Sequence, residues 1–179
     1  GYPLFSSIVR YIPALHSNRE IGIHPIYGST SVDGFMQLSS KSLLRIRIDT
    51  EKIHLFLPLA GKILKLNDKN VIVGVPRIYC LVPAANLQAR MVTIKGFFKE
   101  PAEFQEALER QLKNLQINPQ EVMVGKRRIL RIQNKCVVGF HVRLLGLSSE
   151  ESLRIQEQGL GGRRRFGCGI FTKMKETRR

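Results

Sequence analysis

Four histidines are the side chains of this sequence best suited to move a proton near neutral pH. They are His16, His24, His54 and His141. The ordinary pKa of histidine lies close to neutrality, so an imidazole can serve as a general base without a large shift. On residue type alone, the favoured interpretation of His16 is a helix-end residue stabilised by the helix dipole rather than a catalytic group. His24 is equally read as a packed histidine held by Pro25, and for the other two histidines packing is the default interpretation.

Metal-dependent chemistry finds little support in the sequence. The 14 acidic residues form no D-x-D or similar cluster, which disfavours a two-metal site. The three cysteines, Cys80, Cys136 and Cys168, are far apart and include no C-x-x-C pair. We therefore expect no metal, no cofactor and no disulfide framework, and the cysteine usage predicts a reducing, cytoplasmic location.

A glycine-rich stretch at residues 159–171 surrounds a block of three arginines. The five glycines that flank the block are Gly159, Gly161, Gly162, Gly167 and Gly169. The block itself is Arg163, Arg164 and Arg165. Glycine lets a partner approach the main chain closely, and guanidinium forks beside exposed N–H groups suit a phosphate backbone. The alternative is a flexible surface loop that carries a solvated charge run.

The charge balance of the whole chain points to a polyanionic partner. Lys and Arg exceed Asp and Glu by 15, and the isoelectric point is about 10.3. No apolar run approaches the length of a membrane-spanning helix, so nucleic acid is favoured over a membrane. A second basic set lies on a predicted hairpin and is expected to contact nucleic acid: Lys126, Arg127, Arg128, Arg131 and Arg143. A third set, Lys173, Lys175, Arg178 and Arg179, forms a basic tail.

These side chains require elements to position them, and the apolar spacing predicts those elements. In the first half the pattern predicts helices over residues 3–16 and 50–59, and strands over 43–48, 63–66 and 71–81. Tyr11 falls on the apolar stripe of the first helix, which predicts that it is a core residue. Compared with the order β-α-β-β-α-β predicted below for the second half, the first half lacks only an opening strand, which we expect to precede Gly1.

The second half predicts the order β-α-β-β-α-β. Its strands are expected at 90–95, 127–133, 137–145 and 168–174, and its helices at 101–115 and 148–158. Ser148 with Glu151 makes a capping box that opens the last helix. The predicted class is α+β, with two tandem ferredoxin-like (RRM-like) domains, each an antiparallel sheet backed by two helices. The predicted domains are 1–82 and 89–179, joined by a linker at 83–88.

At these residues the chain resembles a known family, the CRISPR-associated endoribonucleases that cut repeat transcripts into guide RNAs. The family signature is glycine-apolar-glycine, about five mixed residues, then glycine-apolar-glycine. This sequence has G-L-G at residues 159–161, a basic stretch at 162–166 and G-C-G at 167–169. The segments A-L-H at 14–16, G-I-H-P-I at 22–26 and R-M-V-T-I-K-G at 90–96 look like a type I subgroup of that family.

The resemblance implies metal-independent cleavage of RNA by its own 2′-OH. His16 matches the family's histidine after the first helix and becomes the first candidate for the general base, with His24 second. The implied products carry 5′-OH and 2′,3′-cyclic phosphate ends. The implied partners are CRISPR repeat RNA, the mature crRNA, which is retained, and other subunits of an effector complex. The alternatives are a non-catalytic crRNA-binding subunit of such a complex and a basic ribosomal-type protein.

Overall fold

The protein divides into two compact units. The computed structural model describes residues 1–18, 20–29, 31–32, 35–97 and 99–174. The first unit comprises Gly1–Pro76 together with Arg165–Gly167, and the second comprises Arg77–Arg164 with the residues from Cys168 onward. Within the described residues, no helix has both the length and the apolar character needed to cross a bilayer.

The first unit is built from short elements. Its helices are α1 (Tyr2–Val9) and three 3₁₀ helices, Pro13–His16, Thr50–Leu55 and Leu57–Leu59. Its strands are β1 (Gly22–Ile23), β2 (Ser31–Val32), β3 (Phe35–Met36), β4 (Ile46–Arg47), β5 (Ile63–Leu66) and β6 (Lys69–Ile72). They form three antiparallel pairs, β1 with β4, β2 with β3 and β5 with β6.

Two helix predictions for the first unit were wrong because of proline. The helix expected over 3–16 ends at Val9, and a 3₁₀ turn begins at Pro13 after Ile12 with φ −131° and ψ 77°. Proline lacks the N–H that an α-helix needs and drives the preceding residue out of the helical region. The helix expected over 50–59 is likewise two 3₁₀ helices, the second of which contains Pro58.

Two strand predictions for the first unit were too long. The strand expected over 43–48 is limited to Ile46–Arg47, and the one expected over 71–81 ends at Ile72. Beyond Ile72 the chain carries exposed apolar residues such as Val75 and Pro76 without a strand partner. Proline cannot donate to a ladder, and alternating apolar residues describe a strand only where a second strand is present to pair with them.

The second unit has one four-stranded sheet. Its strands are β7 (Leu87–Val92), β8 (Glu121–Ile132), β9 (Lys135–Leu145) and β10 (Thr172–Lys173), and its helices are α2 (Pro101–Asn114) and α3 (Ser149–Gln158). The sheet order is β10-β7-β9-β8 and every pair is antiparallel. With the chain order β-α-β-β-α-β, this is the ferredoxin-like topology that the sequence predicted.

The core of the second unit explains why its elements form. Phe104, Leu108 and Leu112 bury one stripe of α2, and Phe140 and Val142 bury one face of β9. The rings of Phe104 and Phe140 lie 4.6 Å apart between centroids. The predicted capping box is confirmed: the Ser148 hydroxyl accepts from the Glu151 N–H, and the Glu151 carboxylate accepts from the Ser148 N–H.

Candidate active site

His16 is the last residue of the 3₁₀ helix Pro13–His16 in the first unit. The Leu15 N–H donates to the Ile12 carbonyl at 3.1 Å, which closes the turn. Leu15 is buried in the core of the first unit, whereas the His16 side chain is exposed. The neighbouring residues Ala14, Ser17, Asn18 and Glu20 line a shallow depression with a volume of about 410 Å³. The structure therefore leaves the His16 imidazole accessible to a ligand.

Arg165, which belongs to the first unit, binds the end of this 3₁₀ helix. Its Nη1 donates to the His16 carbonyl and lies 3.4 Å from the Leu15 carbonyl oxygen. Its guanidinium carbon lies 4.9 Å from the ring centroid of Phe5 and 5.9 Å from that of Phe166. These two rings meet edge to face at 5.1 Å. Arg165 is thus engaged by carbonyls and by aromatic faces of its own unit.

His24 follows β1 and is half-buried. Its N–H donates to the Arg45 carbonyl at 3.0 Å, which continues the pairing of β1 with β4. The neighbouring Pro25 faces Gly167: a Cβ placed on Gly167 would lie 2.8 Å from Pro25 Cγ and 3.5 Å from the Ile23 carbonyl oxygen. Gly167 has φ +87°, so both its backbone conformation and its surroundings favour glycine. The three residues Arg165–Gly167 therefore contact both segments that carry the candidate histidines.

The arginine block does not form one exposed set. Arg163 is exposed and has φ +64°. Arg164 is 8% exposed, and its Nη2 donates to the Glu157 carbonyl at the end of α3. Arg165 makes the contacts described above. The expectation that all three arginines face RNA is corrected for Arg164, because its guanidinium caps the carbonyl end of a helix inside the second unit.

The N–H groups of the glycine-rich stretch are also engaged within the protein. The N–H of Gly162 donates to Thr93 O (2.9 Å), that of Gly161 to Gln111 Oε1 (2.8 Å) and that of Gly169 to Met91 O (2.8 Å). A Cβ on Gly159 would lie 2.2 Å from the Gly169 carbonyl oxygen. The glycines were expected to let a ligand approach the main chain. At these positions they let other parts of the second unit approach it instead.

The basic residues of the hairpin β8–β9 lie where the sequence predicted an exposed surface. Lys126, Arg127, Arg128, Arg131 and Arg143 are all exposed. Pairing of β8 with β9 is interrupted between Val124 and Arg127, which marks a bulge at Gly125 and Lys126. After the bulge, Arg127 and Arg131 share one face with Ile129, which is 60% exposed, and Arg128 lies on the other face. The hairpin therefore offers positive charge on both faces.

His141 and Cys168 have perturbed pKa values with identifiable causes. His141 Nε2 lies 3.3 Å from Gln88 Oε1. Its pKa is lowered by partial burial and then by the charges of Arg143 and Arg128. Burial raises the pKa of the Cys168 thiol to about 11, so this thiol stays protonated and is a poor nucleophile at neutral pH. Partial burial and two exposed arginines thus favour the neutral form of His141.

Other polar side chains that the sequence singled out have local structural roles. The Tyr11 hydroxyl donates to the Ile63 carbonyl at 2.8 Å, and the side chain is 42% exposed, so its assignment to the core was wrong. His54 lies exposed on the 3₁₀ helix Thr50–Leu55. Lys175, Arg178 and Arg179 of the basic tail lie outside the described residues. No group of three metal-ligating side chains occurs within the described ranges.

Sequence reasoning missed the role of Phe5 and Phe166 beside Arg165. Phe166 packs against the core of the first unit and supports the guanidinium together with Phe5. An aromatic residue directly after the arginine block was the available signal, because arginine stacks on aromatic faces. The carbonyl partners could not be inferred, since His16 is 149 residues away in sequence.

Comparisons with known proteins agree with this architecture. A family model described as Cas6 Crispr matches residues 1–176. The CRISPR-associated endonuclease Cas6 of Myxococcus xanthus (strain DK1622) is 40% identical over 171 residues, which cover 96% of this chain and 73% of that protein.

Solved structures show the same fold at low sequence identity. A structure of a Cas6-related gene product from Pyrococcus furiosus aligns with a TM-score of 0.66 at 15% identity, over 98% of this chain and 90% of that one. Thermus thermophilus Cse3, bound to an RNA representing a pre-cleavage complex, aligns with a TM-score of 0.52 at 17% identity, over 96% and 87% of the two chains. The predicted α+β class with tandem ferredoxin-like domains is confirmed by this likeness. With a family model that spans nearly its whole length and a 40% identical relative, the chain belongs to the Cas6 family of CRISPR-associated proteins.

Proposed function

We propose that this protein is an endoribonuclease that binds CRISPR repeat RNA and cuts pre-crRNA into guide RNAs. The observation that carries the proposal is the 40% identity to a CRISPR-associated endonuclease over 96% of the chain. The exposed histidine at the end of the 3₁₀ helix Pro13–His16 supplies the matching chemistry. The protein retains its product and hands it to other subunits of an effector complex.

His16 acts as the general base in this proposal. It removes the proton from the ribose 2′-OH upstream of the scissile phosphate, and the oxygen attacks the adjacent phosphorus. The bond to the 5′-oxygen breaks, and that oxygen takes up a proton. The products are a 2′,3′-cyclic phosphate and a 5′-OH, and the reaction needs no metal. His24, on the neighbouring segment of the same unit, is the second candidate for the base.

RNA affinity comes chiefly from exposed basic residues of the second unit. These are Lys126, Arg127, Arg128, Arg131, Arg143 and Arg163. The spread of the first five over both faces of the hairpin β8–β9 suits a folded or wrapped RNA better than a single flat contact. Phosphate contacts dominate such binding, so the affinity falls steeply as the salt concentration rises.

The decisive experiment is cleavage of the cognate repeat RNA in EDTA under single-turnover conditions. Wild type is compared with His16→Ala and His24→Ala at protein concentrations that saturate RNA binding. We expect wild type to cut, and His16→Ala to bind normally while cutting at least about 100-fold more slowly, the scale of general-base catalysis. A substrate with one 2′-deoxy nucleotide upstream of the scissile phosphate must stay intact, because it lacks the nucleophile.

Three outcomes would change the proposal. If His16→Ala cuts at the wild-type rate and His24→Ala does not, His24 is the base. If EDTA abolishes cleavage and Mg²⁺ restores it, the metal-independent mechanism is wrong. If wild type binds repeat RNA tightly and never cuts it, the protein is a non-catalytic crRNA-binding subunit.

A further inference from the structure

Arg165 is bound on both sides of the α-carbon of His16. Its Nη1 donates to the His16 carbonyl and lies 3.4 Å from the Leu15 carbonyl oxygen. The Leu15 carbonyl belongs to the peptide group that precedes the His16 α-carbon, and the His16 carbonyl belongs to the one that follows it. One guanidinium nitrogen therefore restrains the two peptide groups that set the direction of the imidazole.

These carbonyls need such a partner. The last carbonyl oxygens of a helix have no N–H donor within the helix itself, and a four-residue 3₁₀ turn has little stability of its own. A cation at this end also interacts favourably with the helix dipole. The Arg165 guanidinium also packs on the Phe5 and Phe166 rings, which belong to or pack against the core of the first unit.

The other end of Arg165–Gly167 lies against the segment that carries the second candidate histidine. Gly167 lies against the Pro25 ring and near the Ile23 carbonyl. Ile23 and Pro25 are the residues directly before and after His24 in the sequence. A side chain at position 167 has no room, because a Cβ there would lie 2.8 Å from Pro25 Cγ. Arg165–Gly167 thus touches both histidine-bearing segments within one unit.

We propose that Arg165–Gly167 is a positioning segment for the candidate catalytic histidines, and that Arg165 is the positioning residue for His16. This assignment replaces the expectation that Arg165 binds RNA phosphate. The half-buried guanidinium is committed to two carbonyls and two aromatic rings of its own unit. The proposal rests on His16 as the general base of the proposed function.

The test separates positioning from RNA binding with a matched arginine elsewhere. Arg154 Nη1 donates to the carbonyls of Leu115 (3.0 Å) and Gln116 (3.1 Å), which is the same carbonyl-capping chemistry in the second unit. Single-turnover cleavage at saturating protein and the Kd for repeat RNA are measured for wild type, Arg165→Ala, Arg165→Lys and Arg154→Ala. Thermal unfolding confirms that each variant is folded at the assay temperature.

We expect Arg165→Ala to lower the saturated cleavage rate about 10- to 100-fold, because small misplacement of a catalytic group has effects of that size. Its Kd changes less than about threefold, since the RNA contacts remain. Arg165→Lys keeps the positive charge but lacks the planar guanidinium, so its cleavage rate lies between those of wild type and Arg165→Ala. Arg154→Ala keeps the wild-type rate. If Arg165→Ala weakens binding while the saturated rate stays at the wild-type level, Arg165 is an RNA contact and the proposal is wrong.

A second readout does not require activity. The His16 ring Cε1–Hε1 signal, assigned by its loss in His16→Gln, is followed by ¹H–¹³C NMR in the free protein. We expect it to shift or broaden in Arg165→Ala and in Arg165→Lys, and to stay unchanged in Arg154→Ala. An unchanged His16 signal in both Arg165 variants overturns the positioning role. A shifted signal in a protein that never cuts RNA supports positioning and instead contradicts the proposed function.

Discussion

The two units hold their candidate functional side chains in different ways. In the second unit, β9 pairs with β8 over most of its length and with β7 over residues 140–144. Within the described part of the first unit, the longest ladder joins four residue pairs of β5 and β6. The exposed hairpin arginines lie on the regular sheet, whereas His16 and His24 lie on a 3₁₀ turn and on a loop.

In the proposed function, this difference separates RNA binding from cleavage. A long hydrogen-bonded hairpin can carry many charges because its backbone is stabilised independently of them. A four-residue turn cannot hold an imidazole in place by its own hydrogen bonds, so tertiary contacts must do it. The glycine-rich stretch serves both needs, since its first part closes the second unit and Arg165–Gly167 packs within the first.

The largest expected effect concerns Gly161, whose backbone packs closely against Thr93 in the second unit. Gly161 has φ +69°, and a Cβ there would lie 2.3 Å from the Thr93 carbonyl oxygen, whereas a Cβ on Gly162 would meet no atom within 4 Å. We expect Gly161→Ala to lower the free energy of unfolding by about 3 kcal/mol, from left-handed backbone strain and steric overlap. Gly162→Ala should stay within about 0.5 kcal/mol of wild type. Urea unfolding measures both variants, and equal effects would contradict the packing role.

A second comparison sharpens the distinction between structural and RNA-binding arginines within the second unit. Arg164→Met removes a buried cationic hydrogen bond and should lower the free energy of unfolding by about 2 kcal/mol, without changing the salt dependence of RNA binding. Arg163→Ala alters an exposed residue, so stability should change by less than about 0.5 kcal/mol. In Arg163→Ala, the slope of log affinity against log salt concentration should become about 0.7 less negative, because one phosphate contact is lost. Denaturation and RNA titration at several salt concentrations test both. If Arg164→Met changes the salt dependence of RNA binding, Arg164 contacts RNA and its purely structural role is wrong.

The smallest expected effect concerns His141 of the second unit. Burial and two arginines lower the pKa of His141 in the folded state, so the unfolded chain binds the proton more readily. The stabilising contribution is therefore complete above the unfolded pKa of about 6.5 and is lost as the pH falls through the lower folded value. We expect His141→Gln to lose less stability than wild type between pH 7 and pH 5. Urea unfolding at several pH values measures wild type and His141→Gln, and identical pH profiles for the two proteins would contradict the prediction.

The second unit was predictable from sequence because its signals are local and agree with one another. The stripe of α2, the capping box of α3 and the alternation along β8 and β9 each depend on residues a few positions apart. The observed hairpin turn lies within one residue of the expected one, and β7 begins three residues before the expected strand. The first unit was predicted less well because Pro13 and Pro58 override the apolar spacing around them.

The candidate site was predictable only in its residue types. His16 and His24 could be selected by chemistry and by the family resemblance, and their catalytic roles remain proposals. The arginines at 163–165 look alike in sequence, yet one is exposed, one caps α3 and one binds the carbonyls beside His16. Neighbouring residues on a tight turn point in different directions, so sequence adjacency does not imply a common environment.

The sequence by itself determined the basic character of the protein, its α+β class, the order of the second unit and the family to which it belongs. These properties follow from composition, from periodicity and from a motif whose residues are contiguous. Only the tertiary structure decided which arginine is buried and that Arg165–Gly167 packs against the segments carrying His16 and His24. Those contacts join residues more than 140 positions apart, and local propensity carries no information about such distant partners.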